Sequence, residues 1–190
     1  MVSSVSFEEL NEDDVFINQS QRGRCTLASA TMVFRRAALI SGDENWNDIT
    51  EGSLARVAWR PGLPFTFTYN GMTMVHDYVR STETLKELLE EHPEGIVAYD
   101  SYYPHAILLT DYDSETDTFF CSDPTYVLPA SRYPVSDSLI QIQNVSAVWY
   151  LSESLGYVLA DQAPEFPDIE ENNKAFYEQK FENPEHSYLN

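Results

Sequence analysis

An α+β fold follows from how the periodicities are laid out along these 190 residues. Apolar residues recur at helical spacing after Gly23 and again after Ser81. From Ile96 to Leu151 the chain is instead a succession of short apolar runs bounded by turn residues, the pattern of strands. Hydrophobic residues make up 43% and aromatics 13%, enough to build a core despite a mean hydropathy of -0.37.

The helix after Gly23 organises the rest. Leu27, Ala28, Ala30, Val33, Phe34, Ala37, Ala38 and Leu39 approach the i, i+3, i+4, i+7 pattern, and Gly42 is placed to end it. Cys25 therefore falls in the first turn, where unpaired backbone N–H groups and the positive end of the helix dipole stabilise a thiolate. Arg22 and Arg24 add positive charge beside it. Gln19, six residues upstream, is placed to turn its side-chain amide back and donate, with the Cys25 N–H, to an oxyanion beside the sulfur. A lone cysteine on a helix is more often a small core residue, so its partners decide.

Before the helix, Val15-Phe16-Ile17 reads as extended. After it, Asp48 to Trp59 reads as a shorter helix broken by Pro61-Gly62-Leu63-Pro64. Phe65 to Tyr69 alternates as a strand and Asn70-Gly71 signals a tight turn. Met72 to Arg80 is then either the return strand or the start of a helix. Ser81 to Glu91 is a helix capped by Ser81, with Leu85, Leu88 and Leu89 on one face, and His92-Pro93-Glu94-Gly95 stops it.

Strands follow at Ile96 to Tyr99, His105 to Tyr112 and Thr118 to Ser122, the last two joined by the polar loop Asp113 to Asp117. With an odd-numbered loop centred on Glu115, Tyr112 faces Thr118 and Ile107 faces Asp123. Alternation then sets His105 on the same face as Asp123 and diagonal to it. Tyr126 to Tyr133 is mostly loop, and Val145 to Leu151 is a last buried strand. Residues 1–158 are expected to form the domain. Residues 159–190, acidic and proline-marked, form a C-terminal extension, with a short helix at Lys174 to Phe181 that docks through Phe176, Tyr177 and Phe181.

Net charge narrows the partners. Thirty-one acidic against 11 basic residues give a formal charge of -20, which repels nucleic-acid backbones and anionic membrane surfaces and favours basic peptides or proteins. Two cysteines are too few for a disulfide scaffold, although one Cys25–Cys121 bridge would be allowed. Four histidines without zinc spacing suggest no metal, and no cofactor is implied. No apolar run reaches the length of a membrane span and no basic-then-apolar leader opens the sequence, so a cytoplasmic location is expected if the chain is complete, and a secreted or surface one if it is an excised domain. Oligomeric state is not encoded legibly.

Gln19, Cys25, His105 and Asp123, in that order, supply an oxyanion donor, a thiol, a base and an orienting acid. At these residues the chain resembles the papain-like cysteine peptidase superfamily, and more narrowly the bacteriocin-processing (double-glycine) peptidase domain and its stand-alone bacterial relatives. The resemblance runs over about residues 15 to 152. Gln19 and Cys25 match Gln-x5-Cys, His105-Ala-Ile-Leu-Leu matches a strand opening with His, and Asp123-Pro124 matches an Asp-Pro step after the next strand. Many of those relatives carry Asp-Cys-Gly where this chain has Arg24-Cys25-Thr26.

The resemblance implies a Cys-bearing helix packed on an antiparallel sheet that carries His and Asp. It also implies Cys25 as nucleophile, His105 as base and then acid, Asp123 as its acceptor and Gln19 as oxyanion donor. His76 and His92 compete for the base, Asp100, Asp111 and Asp113 for the acid, and Gln21 for Gln19. Tyr102, Tyr103 and Pro104, with Trp46 or Trp59, are expected to wall a substrate groove. The leading expectation is a cysteine hydrolase cleaving a peptide or related amide bond. Transfer to an amine or Gln deamidation by the same residues, and a catalytically silent module binding a basic partner through its acidic surface, are the alternatives.

Overall fold

The computed structural model describes residues 4–5, 10, 15–102, 104–125, 133–135, 142–152 and 158–159; the expected C-terminal helix and its docking residues lie outside them. The fold is α+β. Helix α1 (Cys25–Ile40) is followed by a 3-10 turn (Trp46–Asp48) and α2 (Glu51–Ala58). Strands β2 (Thr66–Tyr69) and β3 (Met72–Tyr78) come next, then α3 (Thr82–Glu91). The rest of the main sheet is β4 (Ile96–Asp100), β5 (His105–Asp113), β6 (Thr118–Ser122), β7 (Tyr133–Val135) and β8 (Val145–Leu151). All its pairings are antiparallel, in the order β2-β3-β8-β4-β5-β6-β7. Separately, β1 (Ser4–Val5) pairs in parallel with β9 (Val158–Leu159), so the expected boundary at residue 158 falls within a paired strand. Among the described residues no helix is long and apolar enough to cross a membrane.

α1 is not the one-sided amphipathic helix its spacing suggests. Nearly every residue is buried, Arg35 and Arg36 included, because α1 lies between the sheet and the loops around it. Leu27, Ala30, Val33, Phe34 and Ala37 share a core with Val97, Ala106, Leu108 and Ala147. On the other side of the helix the two guanidiniums are met by carbonyls. Arg35 Nε donates to Ile49 O (2.6 Å) and Nη2 to Asn47 O (3.0 Å); Arg36 Nε donates to Glu94 O (2.8 Å) and Nη1 to Leu10 O (2.6 Å). Such bonds make a buried charge tolerable.

Local chemistry fixes the other ends. Thr50 and Ser53 form a reciprocal capping box on α2, and Ser81 Oγ accepts from Thr84 N at α3. The open choice after Asn70-Gly71 resolves as a strand: both turn residues have positive φ (52° and 74°), the requirement of a two-residue hairpin turn, and Met72–Tyr78 pairs back onto β2. Leu85 and Leu89 of α3 join Ile96, Ala98, Ile107 and Leu109 in a second core. The sheet is thus covered on both faces, which is why β4 and β5 read as continuous rather than alternating apolar runs.

The β5–β6 hairpin departs from the expected register and then returns to it. Four residues, 114–117, make the loop, so Asp113 pairs with Thr118 and Tyr112 with Phe119, one step off. A bulge between Leu109 and Asp111 absorbs the extra residue, giving Leu109 opposite Cys121 and Leu108 opposite Ser122. The paired register ends there, with Asp123 the next residue after β6.

Gly95 joins α3 to β4 with φ +96°, and a Cβ there would sit 2.8 Å from both Leu108 Cδ1 and Leu109 O. Gly95→Ala should therefore destabilise the fold by about 1–3 kcal/mol, from strain alone. The urea midpoint measures this, and an unchanged midpoint would mean that the turn relaxes freely.

Candidate active site

Three segments converge at one end of the sheet. Cys25 is the first residue of α1 and is 3% exposed. The residue before it, Arg24, makes no side-chain cap bond, and the first turn holds no acid, so nothing anionic in that turn opposes a thiolate. His105 opens β5 and is fully buried; its Nε2 lies 3.0 Å from Asp123 Oδ1. His105 also hydrogen-bonds the Cys25 thiol, for which Nδ1 is the remaining ring nitrogen.

Asp123 follows β6 directly and is held by Thr125, whose N–H (2.9 Å) and Oγ1 (2.7 Å) both donate to Oδ1. Sequence reasoning passed over Thr125, although an Asp followed two residues later by a donor is the spacing of an Asx turn. Asp123 so bonded is an acceptor that cannot swing away from the ring.

Burial alone would push the Cys25 thiol up. Its hydrogen bond with His105, the charge on that ring, the Ala106 N–H and the Thr26 hydroxyl together outweigh burial and leave it below its ordinary value of 9.0. Burial would likewise lower His105, but the charge of Asp123, its hydrogen bond and the Cys25 partner raise the ring to about 9. The two shifts oppose one another in the useful sense. Between the depressed thiol value and about 9, the pair rests as thiolate and imidazolium.

Gln19 is tied to the same corner, its backbone N–H donating to Pro124 O (2.9 Å). Its side-chain Nε2 donates to Gln21 O (3.1 Å), so one of its two amide hydrogens is turned toward the loop. Arg24 corrects an expectation. Instead of adding charge to the sulfur, its Nη1 pairs with Glu51 Oε1 at 3.1 Å. The same carboxylate takes the N–H (2.9 Å) and Oγ (2.5 Å) of Ser20. Glu51, not singled out in the sequence, thus fastens the loop before the cysteine to α2.

A cleft of about 250 Å³ opens over Cys25, walled by Thr26, Trp59, Leu63, Tyr99, Pro104 and Trp149. Trp59 and Pro104 are among its walls. Trp46 does not line it, because it lies against the Arg35 guanidinium 5.8 Å from its ring centroid. Tyr102 does not line it either and is 73% exposed, while Tyr103 lies outside the described residues. Tyr99 and Trp149 were missed because they become neighbours only when β8 inserts beside β4.

The competing residues are engaged elsewhere. His76 stacks among Phe65, Tyr78 and Trp149; His92 Nδ1 bonds Glu94 Oε1 at 3.0 Å; Asp113 binds Glu115 N and Thr116 Oγ1 in the hairpin loop. Asp100 Oδ1 accepts from Tyr102 N and Asp111 Oδ1 from Tyr112 N. Cys121 sits in the second core, its thiol raised well above the ordinary value by burial and then by the Asp123 charge. Both cysteines are free thiols. Among the described residues no three His, Cys, Asp or Glu side chains gather as a metal site.

Comparison with family models, with curated proteins and with solved structures gives no match.

Because His105 is what holds the thiol down against burial, its removal should send Cys25 above its ordinary value. Iodoacetamide alkylation of wild-type Cys25 should stay rapid at pH values below the ordinary thiol value of 9.0, and His105→Ala should slow it there at least about tenfold. The rate against pH, with the site of labelling found by mass spectrometry, measures this. Identical profiles in both proteins would dissolve the pair.

Proposed function

We propose that this chain is a papain-like cysteine hydrolase, cleaving a peptide or related amide bond through an acyl-enzyme on Cys25. The observation that carries this is the buried, hydrogen-bonded sequence Cys25–His105–Asp123, ending at a helix N-terminus that faces a cleft. Structural cysteines rarely come with an imidazole whose other nitrogen is fixed by a buried acid.

In the proposed reaction the Cys25 thiolate adds to the carbonyl carbon and the carbonyl oxygen becomes an oxyanion. The N–H of Cys25 and the Gln19 amide stabilise it. His105, held as imidazolium by Asp123, gives its proton to the departing amine as the C–N bond breaks, leaving a thioester. The now neutral ring takes a proton from water, hydroxide adds to the thioester, and the acid leaves as the thiolate and imidazolium are restored. An amine in place of water would give transfer, and a Gln side chain as the acyl donor would give deamidation; both pass through the same thioester.

The walls that meet the substrate, Trp59, Leu63, Tyr99, Pro104 and Trp149, carry no charge at neutral pH. The side chain seated nearest the scissile carbonyl is therefore apolar. Any preference for basic peptides arises from the acidic surface at longer range and fades with salt.

On fluorogenic peptide amides, Cys25→Ala should lose at least about a thousandfold in kcat/KM with its melting transition retained. Turnover equal to wild type would reject the hydrolase and leave a binding module on the same fold.

A further inference from the structure

The Gln19 amide and the Cys25 N–H can act together on one oxygen only if the loop between them holds its shape. Packing does not hold it. Ser20, Gln21, Arg22 and Gly23 are exposed, the turn passes through Gly23 at φ +88°, and a Cβ added there would meet no atom within 4 Å among the described residues. Polar contacts do this instead. Gln21 O accepts both Gln19 Nε2 (3.1 Å) and the Arg24 N–H (3.3 Å).

The loop is fastened to the body of the protein at Glu51. This carboxylate is 7% exposed and stands on the first residue of α2, where the helix dipole favours a negative charge. It receives three donors: the Ser20 N–H on Oε2 (2.9 Å), and the Ser20 hydroxyl (2.5 Å) and Arg24 Nη1 (3.1 Å) on Oε1. An ionised carboxylate, acceptor at both oxygens, matches such a set. The support beneath it is firm, because α2 is closed by the Thr50–Ser53 capping box, Ser53 Oγ meets the Tyr69 hydroxyl at 2.8 Å, and Leu54 and Ala58 are in the main core.

The two residues that Glu51 holds are the chain neighbours of the two oxyanion donors. Ser20 follows Gln19, and Arg24 precedes Cys25. We propose that Glu51 is a positioning residue for the oxyanion site: by holding Ser20 and Arg24 together it sets the Gln19 amide and the Cys25 N–H toward one oxygen. The role rests on the hydrolase reading and deepens it. Donors aimed before the reaction begins stabilise an oxyanion without reorganising, and a displacement of about 1 Å forfeits much of that gain.

The test separates attack by the sulfur from stabilisation of the oxygen. Iodoacetamide alkylates the thiolate and makes no oxyanion. The peptide aldehyde acetyl-Leu-Leu-norleucinal adds to it reversibly: the sulfur–carbon bond forms as the carbonyl π pair moves onto oxygen, and a proton from the imidazolium completes the hemithioacetal. Glu51→Gln turns an amide donor toward other donors, so it should weaken the aldehyde complex at least about tenfold while alkylation stays within about twofold of wild type. On fluorogenic peptide amides its kcat should fall at least about thirtyfold with KM within about twofold. Ser20→Ala, at an exposed position, keeps the fold and should weaken the aldehyde complex by less. Glu51→Asp, with both acceptor oxygens on a shorter stem, should recover part of the loss.

Equal aldehyde affinity in wild type and Glu51→Gln overturns the role, since the loop then holds without this carboxylate. Alkylation slowed in parallel with aldehyde binding also overturns it, because the whole site has then been lost. In both cases wild-type cleavage of the amides leaves the hydrolase standing. A wild type that is rapidly alkylated yet neither cleaves the amides nor binds the aldehyde overturns the hydrolase reading, and the role of Glu51 with it.

Discussion

A single buried contact, His105 Nε2 to Asp123 Oδ1 at 3.0 Å, constrains more of this structure than any other. An ionised carboxylate without partners in this position would be costly to bury. Here it receives the ring and both donors of Thr125, and the Asp123-Pro124 step is pinned through Pro124 O to the backbone of Gln19. The start of β5, the end of β6 and the loop before α1 are therefore bound into one corner. That corner is where Cys25 must sit if α1 is to bury its full circumference against the sheet. Packing of the helix and pairing of the titratable groups are two consequences of one placement.

Much of this was legible because it depends on local rules. A glycine after the last periodic residue, an Asn70-Gly71 turn and a Ser81 cap each act through their own backbone, and each element formed where those signals stand. What could not be read depends on distant partners. Arg35 and Arg36 look like a solvent face until the loops at Asn47, Ile49 and Glu94 supply carbonyls. Trp149 is core, as it looks, but it also lines the cleft once β8, last of the main-sheet strands in the chain, inserts between β3 and β4. No window of sequence contains that insertion.

The hairpin carries a sharper lesson. Pairing His105 with Asp123 needed the right parity, and the count began from a loop of odd length whereas the loop has four residues. Nothing in Leu-Leu-Thr-Asp announces a bulge, since Thr110 is as good a strand residue as its neighbours. The bulge corrects the parity all the same, because both faces of β5 are buried: without it Leu108, Leu109 and every residue toward His105 would oppose the wrong partners. Burial on both sides fixes register more strongly than the loop does.

The overall charge makes the local design necessary. A net charge of -20 lowers the potential over the whole molecule, which favours an imidazolium but opposes a thiolate. Arg24, engaged by Glu51, shares its charge with that carboxylate instead of giving it to the sulfur. The stabilisation has to come from contacts shorter than the screening length of about 8 Å at physiological salt, namely His105, the Ala106 N–H and the Thr26 hydroxyl, together with the end of α1. A thiol held down by such neighbours is insensitive to surface charge, so the acidic exterior is free to serve solubility or partner choice without retuning the sulfur. The cleft follows the same division. Trp59, Leu63, Tyr99, Pro104 and Trp149 bring no ionised side chain to it, so beside the sulfur the cleft offers shape and apolar surface.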